Sequence, residues 1–524
     1  MSNYWKRLGK ALFGKKERSV RMYAGAKNSR LTVGFGQASS SEDAELSSSL
    51  KALRDRSRAL CRDAPYAKRA KAIVVNNVVF TGIGMQADVR STRGEKFARV
   101  NQAIEDAWYE WAEADSCHVG GCMSFAEFER ACMGQVFEAG DVLIRLHPMA
   151  PGRSAIPLSL ELIEAERLAD DYQAPQVEPG MLYRMGIEMT RYGRPVAYWV
   201  RQRHPNEVRQ IAGESDKLER IPAEQIIHLR VIERWPQTRG VPWMHAVIRK
   251  LNDVDGYSEA EIIAARGAAN YMGVIESEYD DQGEIQADGS VQMELQPGVV
   301  EKLRPGEKFD FVSPNRPNAA ADAFIRLMLR EIAAGVGASY ESLSRDYSQS
   351  NYSSSRLALL DDRDLWRVLQ GWFIASFRQK LHRAWLQMAV LSRAIPGINF
   401  EEYALNPHKF ECARFKPRGW GWVDPTKEVE AYKEAVRAGF TTVGDVIAAT
   451  AGGMDLEDVT TARKDELEMF SKSGLEFDTD PDFYMSDAAK AQAEAKAVAK
   501  NAAKPQEPDS AKPDEGNRVV ALRR

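Results

Sequence analysis

Few residues of this chain carry reactive side chains at spacings that could support chemistry. Cys117-His118, Cys122 and Cys132 offer sulfur and nitrogen ligands of the kind zinc takes. Structural zinc sites, however, repeat a Cys-x2-4-Cys or His-x3-5-His knuckle. Here no second, paired knuckle recurs, and Gly120-Gly121 would loosen the stretch. The cysteines are read as free thiols, with no metal ligand assigned. His228 and Arg230 end an apparent strand and could do acid–base work. No nucleophile or paired carboxylate set stands near them in sequence, so a structural polar pair is favoured. Gly82-x-Gly84 lacks the third glycine of a dinucleotide fingerprint and reads as a turn. The sequence has no Gly-x4-Gly-Lys-Ser/Thr phosphate loop, no His-Glu-x2-His and no Gly-x-Ser-x-Gly. No catalytic residue and no cofactor is predicted, and any ATP-driven motor must be a separate protein.

One polar segment remains. Residues 339–355 are nearly half serine, with three tyrosines and one arginine. Hydroxyls and a single guanidinium suit weak contacts to passing phosphates, which position nucleic acid without reading its sequence. The candidate contact residues are Tyr340, Ser342, Ser344, Arg345, Tyr347, Ser348, Gln349, Ser350, Asn351, Tyr352 and Ser353. Asp346 beside Arg345 would partly cancel its charge and keep binding loose. The same residues also suit an ordinary exposed loop, or a lid over an enzyme site.

The elements around this segment have their own order. From Val247 the positions Leu251, Val254, Ser258, Ile262, Ala265, Ala269 and Met272 form one helical stripe. Pro242 fits a first-turn proline. About 30 residues at roughly 1.5 Å each make a rod of about 45 Å. Residues 274–318 alternate β-prone runs with turns such as Asp288-Gly289. A second amphipathic helix follows (Ala321, Phe324, Ile325, Met328, Leu329, Ile332, Ala333, Val336), then the serine-rich loop. A long helix over 356–391 carries Trp366, Trp372 and Trp385. Upstream, residues 31–48 read as a Gly/Ser-rich connector. Residues 49–79, 97–114 and 123–139 read as helices. Between Asp141 and Arg230 short β-runs (142–145, 158–162, 181–187, 197–200, 226–230) punctuated by Pro and Gly predict an antiparallel sheet. A helical array spans 428–474, and an Ala/Lys/Glu/Gln tail follows that reads as disordered.

Composition bounds the partners. The 44% hydrophobic and 28% charged content is that of a globular protein, and 524 residues allow two to four domains. A net charge of −4 excludes a basic glove for nucleic acid. A protein that lets DNA slide should avoid such a glove, because every neutralised phosphate adds affinity. Five cysteines, an odd and sparse set, suit a reducing compartment. No apolar run approaches a membrane span, and the basic segment 1–30 reads as a surface-docking arm rather than a secretory signal.

Four stretches carry a family resemblance: Tyr23-Ala-Gly-Ala26 with Arg54-Asp-Arg56-Ser-Arg58 and Asn77 to Gly84; His228-Leu-Arg230 with Arg234 to Trp243; Gly337 to Tyr347 with Tyr352 to Arg356; and Trp422-Val-Asp424-Pro425. Together they resemble the lambda-type portal proteins of tailed bacteriophages. The resemblance implies an α+β, helix-rich portal fold. It divides into an N-terminal arm and connector (1–48), a wing (49–242), a stem helix (243–273) and a clip (274–319). A second stem helix (320–338), the tunnel loop (339–355), a long helix toward the crown (356–392), a wing/crown helical region (393–480) and the tail (481–524) follow. It further implies a dodecameric ring at one capsid vertex, in the virion and, during assembly, the host cytoplasm. Double-stranded DNA would pass through it. Partners would be the terminase large subunit, head-completion or neck proteins and the major capsid or scaffold protein, with no membrane. A nucleic-acid-processing enzyme with a serine-rich lid, or a helical scaffold without a channel, are the other readings of the same elements.

Overall fold

The structure is a computed structural model that describes residues 40–91, 96–150, 152, 154–172, 180–207, 217–270, 274–277, 307–310, 320–420, 425–450, 456–475 and 477. In chain order, helices α1 (Glu42–Asp63) and α2 (Pro65–Val78) precede strand β1 (Gly84–Ala87), α3 (Ala98–Trp111), α4 (Ala114–Cys117) and α5 (Phe125–Ala139). Strands β2 (Asp141–His147), β3 (Ser159–Glu164), β4 (Met181–Arg184), β5 (Ile187–Thr190), β6 (Pro195–Arg201), β7 (Leu218–Pro222) and β8 (Ile226–Arg230) follow. Next come α6 (Ile248–Asn270), β9 (Val274–Ser277), β10 (Glu307–Asp310), α7 (Ala321–Val336), α8 (Tyr340–Ser344) and α9 (Tyr352–Phe373). A π-turn (Ile374–Arg378) joins α9 to α10 (Gln379–Leu391). The chain continues through α11 (Phe400–Leu405), α12 (Pro407–Phe410), β11 (Ala413–Lys416), α13 (Pro425–Arg437), α14 (Val443–Thr450) and α15 (Leu456–Ser473).

The chain divides into two compact units. The first is drawn from Met1–Lys71, Gly134–Leu146 and Leu160–Val336. It holds a three-stranded sheet, β3-β2-β8, and a four-stranded antiparallel sheet, β4-β5-β6-β7. Alternating side chains of these strands meet in one core of Leu143, Ile163, Ile187, Tyr198, Val200 and Ile221, as period-2 strands require. The β-run predicted at 181–187 is two strands, because Met185 and Gly186 both take positive φ and turn the chain into a hairpin. The connector predicted to reach residue 48 is shorter. Ser41 caps α1 through its hydroxyl, and Ser47, Ser48 and Ser49 bond back to carbonyls of the preceding turn. The helix predicted over 49–79 is broken where Ala64, ahead of Pro65, is extended.

The second unit is drawn from Ala72–Met133, His147–Ser159 and Gly337–Arg524. Its core is aromatic. Trp108, Trp111, Phe125, Phe128, Phe373, Phe377 and Trp385 are buried, with Trp108 5.0 Å from Trp385 and 5.3 Å from Phe125, both edge-on. The π-turn places Phe377 and Arg378 in this core, where the Arg378 guanidinium lies 4.8 Å from both the Trp108 and Phe125 rings. Gly84, read as part of a turn, opens β1, whose partner is β11; cross-strand pairing made that strand and local sequence did not. Helices α13 and α15 have no buried residue. The arm (1–39), the β-runs 291–295 and 299–303 and the tail beyond 480 lie outside the described residues.

Candidate functional site

The two long amphipathic helices are fastened at one end by a buried polar knot in the first unit. Arg239, fully buried, bonds both Asp141 oxygens at 2.6 and 3.3 Å and the carbonyls of Ala165 and Met185 at 2.9 and 3.3 Å. Asp141 also accepts from Gly240 N at 3.2 Å and meets His228 Nε2 at 3.2 Å. Despite complete burial, Arg239 foremost, then His228 and Arg54, hold the Asp141 carboxyl well below the usual range. Burial, reinforced by Arg230, pulls the His228 imidazole down to about 3. With its side chain 2% exposed, His228 is the structural polar group expected, packed edge-on against Tyr198. Beside the knot Thr238 bonds Asp43 twice at 2.7 Å. A Cβ on Gly240 would stand 2.0 Å from the Gly140 carbonyl oxygen, so no other residue fits there without moving the backbone.

From this knot the chain runs into α6. The helix predicted to start near 243 begins at Ile248, after turns through residues 243–247. Trp243 N donates to Phe137 O at 3.0 Å and its indole Nε1 to Val336 O, the last residue of α7, at 2.8 Å. Gly335 lies against Val247, Lys250 pairs with Glu331, and the Tyr257 and Phe324 rings lie 5.0 Å apart. The falling numbers on one helix against rising numbers on the other make an antiparallel pair. Among the described side chains, their shared stripe is buried near the knot, at Val247, Leu251, Val254, Leu329, Ile332 and Val336. Farther along, Ile262 (52%), Ile263 (60%), Phe324 (45%) and Leu327 (54%) stand exposed.

The serine-rich segment, in the second unit, is more ordered than a loop. Ser339 caps α8, and its N–H donates to Asp362 Oδ1 at 2.8 Å. The Ser339 and Ser342 hydroxyls reach Asp362 Oδ2 at 2.7 and 3.0 Å. Burial raises the Asp362 pKa, and these donors pull it back. Tyr340 donates to Asp346 at 2.9 Å, and Ser344 to the Tyr340 carbonyl at 2.8 Å. Arg345, at φ 58°, ends α8 in the left-handed region. Asn351 and Ser354 form a reciprocal cap that starts α9 at Tyr352, four residues before the predicted position. Of the predicted contact residues, Tyr340, Ser342 and Ser344 therefore brace the segment. Arg345, Tyr347, Ser348, Gln349, Asn351 and Ser353 are exposed, and Ser350 N donates to Tyr347 O across the tip. Asp362, the residue that ties the segment down, was missed. Lying ten residues past the start of a helix of mixed charge (352–373), it carried no local signal.

Elsewhere, Cys122 Sγ lies 3.5 Å from His118 Nδ1, while Cys117 Sγ points at the Ala112 and Met123 carbonyls and Cys132 is buried. All five cysteines are free thiols. Burial pushes the Cys117 thiol up to about 12. Three arginines of α1 are met by acids: Arg54 by Asp141 and Asp170, Arg62 by Asp63, and Arg58 bonds Glu166 at 2.7 and 2.9 Å.

The model of the family "Phage portal protein, lambda family" matches residues 28–370. The probable portal protein of Halomonas phage phiHAP-1 is 27% identical over 87% of this chain and 88% of its own length. Portal protein B of Escherichia phage lambda is 24% identical over 67% of this chain and 70% of its length. Among solved structures, the neck of an empty gene transfer agent particle covers 80% of this chain and 96% of its own at 15% identity, with a TM-score of 0.42.

Proposed function

This chain belongs to the lambda family of phage portal proteins, and from that membership we propose a structural conduit, not an enzyme: copies close into a dodecameric ring at one capsid vertex, through which double-stranded DNA is packaged and ejected. The family match over residues 28–370 carries the reading. The exposed apolar positions on α6 and α7 support it, since a lone chain leaves them in water. In the ring each copy presents one face to the next copy's other face, the heterologous contact that closes by rotation. The helices α6 and α7 act as the stem, residues 274–319 as the clip and 339–355 as the tunnel loop.

The exposed tip from Arg345 to Gln349 touches DNA phosphates briefly and without reading sequence. Its one cation stands beside Asp346, so each copy contributes little affinity and DNA slides. The terminase large subunit docks during packaging and neck proteins afterwards. The wing and crown meet the capsid or scaffold protein. Assembly takes place in the host cytoplasm. Native mass spectrometry and electron microscopy of the purified chain test the reading: closed rings are expected, and a monomer under all conditions would discard it.

A further inference from the structure

A cleft of about 330 Å³ on the four-stranded sheet has no part in the conduit reading. Its floor is apolar, from Leu182, Ile187 and Met189, and its rim carries two aromatic side chains, Tyr192 (73% exposed) and Trp235 (67% exposed). Arg184, Arg191 and Arg230 line it, and no aspartate or glutamate does. In a chain of net charge −4 this is a local inversion of sign.

Asp43 answers Arg184 at 2.8 Å. Arg191 stacks on the Tyr192 ring at 4.5 Å and has no carboxylate among the described residues. Arg230 donates to His228 Nδ1 at 2.7 Å, but its Nε is buried without a hydrogen-bond partner. Two guanidiniums with no direct carboxylate ion pair among the described residues, though Asp141 and Asp43 lie within electrostatic reach of Arg230, stand between two exposed rings over an apolar floor and fit an acidic chain that also brings an aromatic side chain.

The sequence contains such a chain. Residues 478–487 read Asp-Thr-Asp-Pro-Asp-Phe-Tyr-Met-Ser-Asp, with four aspartates, Phe483, Tyr484 and no lysine or arginine. We propose that the Arg191/Arg230/Trp235 cleft of one copy binds segment 478–487 of a second copy. Asp480 and Asp482 answer the arginines, and Phe483 or Tyr484 enters between Tyr192 and Trp235. The contact requires two neighbouring copies but no particular ring size and no DNA, so its failure would leave the conduit reading standing.

The test uses the full chain with a photo-crosslinking benzoylphenylalanine in place of Phe483, assembled from a mixture of isotopically light and heavy copies. Crosslinks are expected from light to heavy copies, landing in residues 182–195 and 234–238. Arg191→Glu should lower their yield about tenfold, the effect of losing one interface anchor. Asp480→Lys with Asp482→Lys should restore yield in the Arg191→Glu background. Crosslinks confined to single copies, crosslinks elsewhere, or a yield indifferent to Arg191→Glu would each overturn the proposal. So would protection of the cleft by an added oligonucleotide with no peptide crosslink there, which would assign the site to nucleic acid.

Discussion

Replacing Arg239 with methionine should be among the most damaging single changes in the first unit. Methionine roughly fills the volume but donates nothing. The change removes two bonds to Asp141 and one each to the carbonyls of Ala165 and Met185, all buried. Asp141 keeps Arg54 at 3.8 Å, a neutral imidazole and one backbone N–H, too little for a carboxylate 1% exposed. Breaking a buried pair from one side costs about 3–5 kcal/mol. At roughly 2 °C per kcal/mol for a unit of this size, the melting temperature should fall by about 6–10 °C. Thermal unfolding of the unassembled chain at pH 7, followed by circular dichroism, measures it. Adding Asp141→Asn removes the stranded charge and should recover about 1–3 kcal/mol. A loss below about 1 kcal/mol for Arg239→Met, or a double variant no better than the single, would refute the claim that this ion pair holds the chain ahead of α6.

Acid should destabilise the chain through His228 and His382, both held near 3 by burial and neighbouring arginines. The unfolded chain binds their protons at about 6.5, so stability is full above that pH and falls by about 1.4 kcal/mol per histidine per pH unit down to about 3; urea midpoints across pH 4–7 check it, and His382→Gln should flatten the slope. Gly240→Ala should cost about 3 kcal/mol or more by forcing the backbone apart at Gly140 O. Gly256→Ala, in open space within α6, should stabilise the unassembled chain by about 0.5–1 kcal/mol in denaturant titrations. Ile263→Asp with Leu327→Asp, at exposed positions, should shift the monomer by no more than about 0.5 kcal/mol each while abolishing rings in native mass spectrometry. Replacing Arg345–Gln349 with Gly/Ser residues should leave rings intact and lower DNA packaging yield. Normal packaging would remove the tip from the channel reading.

What could be read from the sequence was decided by whether residue spacing alone carries its cause. The stripe through Leu329, Ile332 and Val336 is a helix because its spacing is helical, and those residues are buried. Strand β8 shows the corresponding alternation. The rest depended on partners that composition does not show, some far along the chain and some on the same helix. β1 exists because it pairs with β11, more than three hundred residues later. Serines at 47–49 look like a linker by composition, yet they bond their own helix. The serine-rich segment also finds partners within the chain. The Ser339 and Ser342 hydroxyls are held by Asp362 and the Ser344 hydroxyl by its own turn. Composition marks the segment as polar, and its partners within the chain set which of its side chains are exposed.

That division of labour bears on how a conduit could hold DNA loosely and still respond to it. A flexible loop would lose conformational entropy with every phosphate contact. Here much of that entropy is already lost on folding, because α8 is capped, tied to Asp362 and turned by Arg345 before any ligand arrives. The exposed part is then short, and its single guanidinium is neighboured by Asp346, itself engaged by Tyr340 and by Ser348 N. Under the proposed function, each copy would present a stiff, nearly neutral tip whose contacts are weak individually and repeat around the ring. Cutting the Asp362 anchor should therefore make the grip less uniform rather than weaker: Asp362→Ala frees α8 while every exposed tip residue is kept. Packaging under load should become irregular in pause length, with mean DNA affinity little changed. If Asp362→Ala instead behaved as the Gly/Ser replacement of the tip, the bracing would matter only for keeping the tip present, and its stiffness would have no part in transport.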